Sequence, residues 1–401
     1  MTLRLIGLGL SAMLVPLGST MIAVALPAIG AEFHRSASDL TLWLVNSYLL
    51  VNIVALGPGG EIADRWGYRN ALGLGQILFG AGCLLPILWP SFAALVASRV
   101  LMALGGALMV PTVMAAFRIA VPAEQLPRVF GYFGALMTFA AAVGPSLGGL
   151  LVHHFGWGSI FLVNLPPLLV SVFYSVTFFR DRPPQGESGQ RRASANLLGN
   201  LALFSQRSFA AGCAIVALLN LGMYTLLFEL PYLLQALYQS GPERSGQFMT
   251  AFMASMMAGS ALGGRTAELI GARAACASGS LLAVAGFGSL ALLAPGAGAL
   301  PAIACLVAGG AGLGFANGPA NAAAIATIAR ETSGIGSALL AMSRYVGGIV
   351  GVTLLSLMLS APGAAQSVAQ HDRAVLVLAG FLLVAVAISF LLPRRATSQL
   401  G

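Results

Sequence analysis

The chain of 401 residues is 58% apolar and only 8% charged. Soluble domains carry about 25% charged residues, so this composition excludes a soluble globular protein. The shortage of charge runs along the whole chain, as expected of many membrane spans rather than one anchor. The net charge of +8 comes from arginine alone, with no lysine.

A helix crosses the hydrocarbon core in about 20 apolar residues, and polar or Pro/Gly-rich breaks mark twelve predicted spans. The first, 5–29, follows Arg4 and holds Thr20; its apolar run exceeds the roughly 7–15 residues of a secretory leader. The second, 41–60, holds Trp43 and Asn46. It ends in Gly60-Glu61-Ile62-Ala63-Asp64-Arg65-Trp66-Gly67-Tyr68-Arg69. Spans three to six are predicted at 71–90, 93–116, 129–151 and 159–178. The fourth contains Arg99. The fifth contains Gly144-Pro145-Ser146-Leu147-Gly148-Gly149, where Pro145 removes a helix hydrogen bond and the glycines admit a close neighbour; such a seam would seal against ion leak. The longest polar stretch, Arg180 to Arg207, reads as a linker. It divides the chain into a six-helix bundle over 1–179, a cytoplasmic linker over 180–208 and a second six-helix bundle over 209–401.

The seventh span, 209–237, places Thr225, Glu229 and Tyr232 at i, i+4 and i+7, with Asn220 below them and Pro231 beside them. The eighth, 247–267, carries the stripe Met249, Phe252, Met253, Met256 and Met257, which fits either helix packing or an adaptable apolar pocket. Spans nine to twelve are predicted at 274–294, 299–327, 335–360 and 374–392. The tenth holds Asn317 and Asn321. The eleventh holds Arg344 ahead of Gly347, Gly348 and Gly351. The four cysteines lie unpaired in apolar stretches and read as small core residues.

With a cytoplasmic N-terminus, the outer loops hold only Arg35, Arg244 and Arg373, and the other loop and tail arginines fall inside. That asymmetry is the positive-inside rule, so the basic surplus sets topology, with both termini cytoplasmic, and does not imply nucleic acid. All four histidines, His34, His153, His154 and His371, are expected in outer loops with no role and no metal.

A charge at mid-bilayer costs about 2.5–3.5 kcal/mol. The three ionisable residues expected well inside spans are therefore candidates. Glu229 is the sole acid among them, about 12 Å from the end of its helix at 1.5 Å per residue. It is expected to bind a proton or a cationic substrate, or to be a structural acid hydrogen-bonded to Tyr232. Arg99 needs a partner, either in transport chemistry or among backbone carbonyls. Arg344 is expected to face a cavity, favouring anionic groups or holding Glu229 ionised. Thr20, Trp43, Asn46, Asn220, Asn317 and Asn321 are candidate cavity-wall groups.

The end of the second span recurs at the end of the eighth as Gly264, Ala267, Glu268, Gly271 and Arg273, 204 residues on. Gly67 permits a tight reversal. Asp64 can cap the next helix or pair with an arginine. The repeat predicts an all-α membrane protein of two pseudo-symmetric six-helix bundles, the layout of transporters that rock about a central site. The loop, including Arg65 and Arg69, reads as a gate or as a topology marker only.

With these residues in view, the chain resembles the major facilitator superfamily, and within it the drug–proton antiporters. Gly60-x-x-Ala63-Asp64-Arg65-x-Gly67-x-Arg69 is similar to the family's loop between spans two and three. Gly144-Pro145…Gly148-Gly149 is similar to its antiporter motif. Ser19-Thr20, Pro27, Arg99 with Gly105-Gly106, Leu230-Pro231-Tyr232 and Ser343-Arg344 extend the likeness over nearly the whole chain. The resemblance implies a multidrug efflux transporter in a bacterial inner membrane. It also places an acid where this chain has Gly18, and Gln-Gly where it has Met102-Ala103.

The sequence holds no GxxxxGK[ST] phosphate loop, no CxxC, no HExxH and no Ser-His-Asp set. The reading is a non-enzymatic secondary transporter without cofactor or metal, with the lipid bilayer, a small molecule and protons as partners, and a monomer suffices. The alternatives are a metabolite facilitator or proton symporter on the same fold, and a non-transporting membrane sensor or scaffold.

Overall fold

The computed structural model describes residues 2–121, 125–178, 203–238, 241–293, 298–326, 328, 333–360 and 368–393. Helix is the only regular secondary structure among them, because in oil every backbone group must find its partner inside its own segment. Long helices follow in chain order: α1, Thr2–Phe33; α2, in three continuous segments Ala37–Leu40, Thr41–Asn46 and Ser47–Trp66; α3, Tyr68–Leu88; α4, Phe92–Ala120; α5, Leu126–Phe155; and α6, Leu165–Phe178, preceded by the turn Ser159–Leu162. The second set is α7, Arg207–Tyr238; α8, Pro242–Ile270; α9, Ala272–Leu290; α10, Ala299–Ala326; α11, Ser333–Met358; and α12, Val368–Ser389. Eleven of these twelve are long and apolar enough to cross a membrane. The exception, α8, is diluted by glycine, serine and the charges Glu243, Arg244, Arg265 and Glu268, yet at 29 residues it is long enough.

Several boundaries differ from expectation, among them 37–66 for the second helix where 41–60 was expected. α1 runs on to Phe33, where His34 turns the chain with φ +51°. α8 is longer at both ends than 247–267. α12 begins at Val368 rather than 374, because His371, Asp372 and Arg373 read as loop residues and are in fact helical. One feature has no simple sequence signature: Thr41–Asn46 forms a π-helix within α2.

Contacts group into two compact units, Met1–Arg191 and Arg192–Gly401; most of the expected linker 180–208 lies outside the described residues. In the first unit α1 packs on α5 and α6, and α4 on α2 and α3. In the second α10 packs on α8 and α9, and α7 on α11 and α12.

The two units repeat in detail. Gly67 ends α2 and opens α3 at φ +85°, ψ 147°, and Gly271 does the same between α8 and α9 at φ +85°, ψ 155°. That region of backbone space is open essentially to glycine alone. Close helix contacts recur too, the α3 and α9 glycines 204 residues apart and their α4 and α10 partners 207 apart. A side chain on Gly75 would meet the Gly105 carbonyl oxygen at 3.0 Å, and one on Gly279 the Gly312 oxygen at 2.9 Å. Gly82 faces the Ser98 oxygen at 2.9 Å, and Gly286 the Cys305 oxygen at 2.8 Å. Paired glycines thus set α3 against α4 and α9 against α10, as small residues do where helices pack in lipid.

Candidate functional site

In the second unit, α7 turns Thr225, Glu229 and Tyr232 into its own interior. Glu229 is 1% exposed, and its Oε1 is hydrogen-bonded to Nδ1 of His371, which is fully buried one turn into α12. His371 shares a helix face with Ala374, Val375 and Leu378, all buried, and that face is what carries the imidazole into the α7–α12 seam. This corrects the expectation that all four histidines lie in outer loops, since His371 is helical and buried. Among the described residues, Arg99, Glu229 and His371 are the buried ionisable side chains of formal charge.

The surroundings of the pair are incompletely satisfied. Glu229 Oε2, Thr225 Oγ1 and the Tyr232 hydroxyl are buried and make no hydrogen bond. Leaving such groups unpaired costs about 1–3 kcal/mol each, and the three lie on one face of α7. A cavity of about 10 Å³ lies beside Thr225, lined also by Leu221, Leu354, Met358, Ala374 and Leu378, and its lining includes neither Glu229 nor Tyr232. α11 closes the other side: Gly347 lies against the Ala217 backbone of α7, and Gly351 against the Leu221 oxygen and the Thr225 hydroxyl.

Of the two expectations for Arg344, the structure shows no contact among the described residues that would hold Glu229 ionised. Arg344 is exposed, and its Nη2 donates to Asn321 Oδ1 at 3.1 Å, while Asn321 Nδ2 donates to the Asn317 carbonyl at 2.7 Å. Asn220 is buried and donates to the Val216 carbonyl of its own helix. Met249, Phe252 and Met253 are buried, with the Phe252 ring 6.2 Å from that of Phe287 in α9, so this part of the methionine stripe is packing; Met257 is exposed.

In the first unit, Arg99 is 1% exposed. Its Nε donates to the Leu44 carbonyl at 3.1 Å, inside the π stretch of α2, and its guanidinium lies 4.1 Å from the Tyr48 ring centroid. The same π stretch carries Trp43, 51% exposed, and the buried Asn46. Thr20 donates to the Pro16 carbonyl at 3.0 Å. Gly144, Pro145, Gly148 and Gly149 are buried in α5, which remains one continuous helix through the proline. A side chain on Gly144 would collide with the Thr20 hydroxyl, and one on Gly148 would meet Met21 Cα at 3.1 Å. The α1 and α5 motifs are therefore two faces of one contact.

Gly18 and Met102 also face each other: a Cβ at residue 18 would meet Met102 Cε at 3.2 Å. The two departures from the antiporter pattern are one apolar packing feature, leaving no carboxylate there. Asn164 Oδ1, 4.0 Å from that Cβ position, is buried without a hydrogen bond.

Of the repeated loops, the side chains of Gly60 and Asp64 lie outside the described residues. Arg65, Arg69 and Glu268 are exposed, and Arg273 Nε donates to the Leu392 carbonyl at 2.8 Å. Sequence reasoning missed His371 and the π stretch. For His371 the usable signal was its i+3, i+4, i+7 spacing to Ala374, Val375 and Leu378.

Comparison with known proteins agrees with this architecture. The profile described as Major Facilitator Superfamily matches residues 8–352. The uncharacterized MFS-type transporter YvkA of Bacillus subtilis is 29% identical, over 88% of this chain and 90% of its own length. The multidrug resistance protein B homolog of Mycobacterium tuberculosis is also 29% identical, over 85% of this chain and 73% of its own. The crystal structure of a bacterial homolog of the human lysosomal transporter Spinster, inward-facing and unoccupied, matches with a TM-score of 0.83 at 19% identity, covering 97% of this chain and 96% of that one. Twelve helices in two repeating sets, a multi-pass membrane composition and a family match over most of the sequence lead to one assignment: the chain belongs to the Major Facilitator Superfamily of membrane transporters.

Proposed function

We propose that this transporter is a proton-coupled antiporter that exports small apolar or cationic molecules across a bacterial inner membrane by alternating access, acting as a monomer with both termini cytoplasmic. One observation carries the reading: the buried hydrogen-bonded pair of Glu229 and His371. Two protonatable groups sharing a hydrogen bond are electrically neutral together when one proton sits on either of them beyond the carboxylate–imidazole state. Losing that proton to water leaves a net negative charge in a medium where an isolated charge is costly. The bare site is stabilised by a proton or by a cation, and the two compete. Competition at one site, exposed in turn to each side, is antiport.

The unpartnered Glu229 Oε2 and Tyr232 hydroxyl support this, since they provide acceptor and donor for the incoming group. The multidrug resistance relative supports the choice of substrate class. Thr20, Trp43, Asn46, Asn317, Asn321 and Arg344 are proposed as substrate-contacting groups, and the loops at Gly60–Arg69 and Gly264–Arg273 as gates.

The test is flux of tetraphenylphosphonium, a lipophilic monocation, in proteoliposomes of the purified chain. Transport that starts on imposing a proton gradient and stops on collapsing it with an ionophore is the expected result. Flux indifferent to the gradient would make the chain a facilitator, and no flux of this or of a metabolite panel would make it a sensor or scaffold.

A further inference from the structure

A π stretch inside a membrane helix is costly unless something holds it. Its i→i+5 pairing inserts one extra residue, leaves a carbonyl poorly served by its own helix, and is found mostly at functional sites. In hydrocarbon such a carbonyl has no water to turn to. In α2 the stretch spans Thr41–Asn46, and the Leu44 carbonyl in its middle receives a hydrogen bond from Arg99 Nε at 3.1 Å. The guanidinium also lies over the ring of Tyr48, 4.1 Å from its centroid and just beyond the stretch. Arg99, Leu44 and Tyr48 are all buried. One planar cation thus grips α2 both within the widened turn and in the regular turn that follows it.

The grip has a firm base. Arg99 projects from α4, and its neighbour Ser98 donates to the Gly82 carbonyl of α3 at 2.5 Å, where the two helices are in close contact. The guanidinium stays charged at every physiological pH, so the contact persists through proton uptake and release elsewhere. An extra residue in the turn also matters for direction. Removing it would rotate the residues on its N-terminal side by about 100° relative to the rest of the helix. Trp43, half exposed, and Asn46 both sit in the affected stretch.

We infer that Arg99 is a positioning residue: by binding the Leu44 carbonyl and the Tyr48 ring it holds the π turn of α2 open and so fixes the direction in which Trp43 and Asn46 are presented. Arg99 acts on the substrate through α2 and does not touch it. The structural half of this inference stands apart from the transport reading; only its effect on substrate affinity rests on that reading.

The experiment uses Trp43 as its own reporter. With Trp66, Trp89 and Trp157 replaced by Phe, Trp43 is the sole tryptophan of the purified full chain. Arg99→Gln, which loses the cation and the Nε donor, is expected to shift the Trp43 emission maximum and change its quenching by acrylamide while helix content by circular dichroism is kept. Arg99→Lys keeps a charge but not the flat guanidinium, and is expected to shift emission in the same direction. In the transport assay, Arg99→Gln is expected to raise KM for tetraphenylphosphonium about tenfold with Vmax held, the size of effect of losing one aromatic–cation contact. An unchanged Trp43 spectrum in both variants would overturn the inference. So would a lost Vmax at unchanged KM, which would place Arg99 in the transport step itself. Should Arg99→Gln not fold, Tyr48→Leu removes one side of the grip; it is expected to shift Trp43 emission, and an unshifted spectrum there counts against the inference. Absence of any flux in the wild type, together with the spectral shift, would sink the antiport reading and leave this one standing.

Discussion

Glu229→Gln is expected to abolish gradient-driven transport, lowering its rate by about 100-fold or more, the scale on which a proton-transfer group contributes. Glutamine has the same shape, can hydrogen-bond to His371 and cannot ionise, so the fold is kept and the exchange of a proton is lost. Substrate counterflow, which needs no net proton movement, is expected to persist with KM for the cation raised, because the carboxylate that balances its charge is gone; this separates a coupling defect from a lost transport path. The pairing gives a second signature. His371→Phe leaves the Glu229 carboxylate buried beside an apolar ring, and removing one partner of a buried pair costs about 3–5 kcal/mol. Thermal unfolding in detergent is expected to fall accordingly, and Glu229→Leu in the same chain is expected to restore most of the loss. Additive destabilisation in the double variant would mean that the two groups are not energetically coupled.

Gly347→Ala is expected to destabilise the second unit by about 3 kcal/mol, the upper end of what overpacking costs, and to stop transport. The added methyl would collide with the Ala217 carbonyl oxygen and sit 2.7 Å from its carbon and 2.9 Å from its Cα. Those are backbone atoms of α7, which no rotamer change can move aside. Relief requires α7 and α11 to separate, one turn from Gly351 and Thr225 and hence beneath the Glu229–His371 pair. By contrast, Gly73 has nothing within 4 Å of its Cβ position. Gly73→Ala is therefore the control, and its melting temperature and flux are expected to match the wild type. A Gly347→Ala variant as stable as this control would show that the α7–α11 contact is looser than described.

The span count, the repeat and the family resemblance were legible because each rests on local pattern. Apolar run length marks a membrane helix, and Gly67 and Gly271 announce reversals that only glycine makes readily. The repeat was in fact richer than the motif that revealed it: Gly75 with Gly279 and Gly82 with Gly286 keep the same spacing, though their purpose shows only where α4 and α10 press against them. Glu229 stood out because an acid in an apolar run needs a reason. Its partner did not, since His371 lies next to Asp372 and Arg373 and this polar triplet reads as a loop; only its packing on α7 shows that the helix has already begun. The π stretch is invisible for a related reason. Thr41–Asn46 is ordinary by composition, and the group that holds it, Arg99, comes from 55 positions further along the chain. Between facing a cavity and holding Glu229 ionised, the sequence left Arg344 open because depth along a helix was known and azimuth was not; its bond goes to Asn321.

Proton release on substrate binding tests the central claim most directly. Purified protein in weakly buffered detergent, titrated with tetraphenylphosphonium while a pH electrode records the bulk, is predicted to release protons in proportion to the cation bound, and Glu229→Gln to bind the cation more weakly and release none even at cation concentrations that load it. Equal release from wild type and Glu229→Gln would contradict the account, because the proton displaced by substrate would then come from somewhere other than the α7–α12 pair.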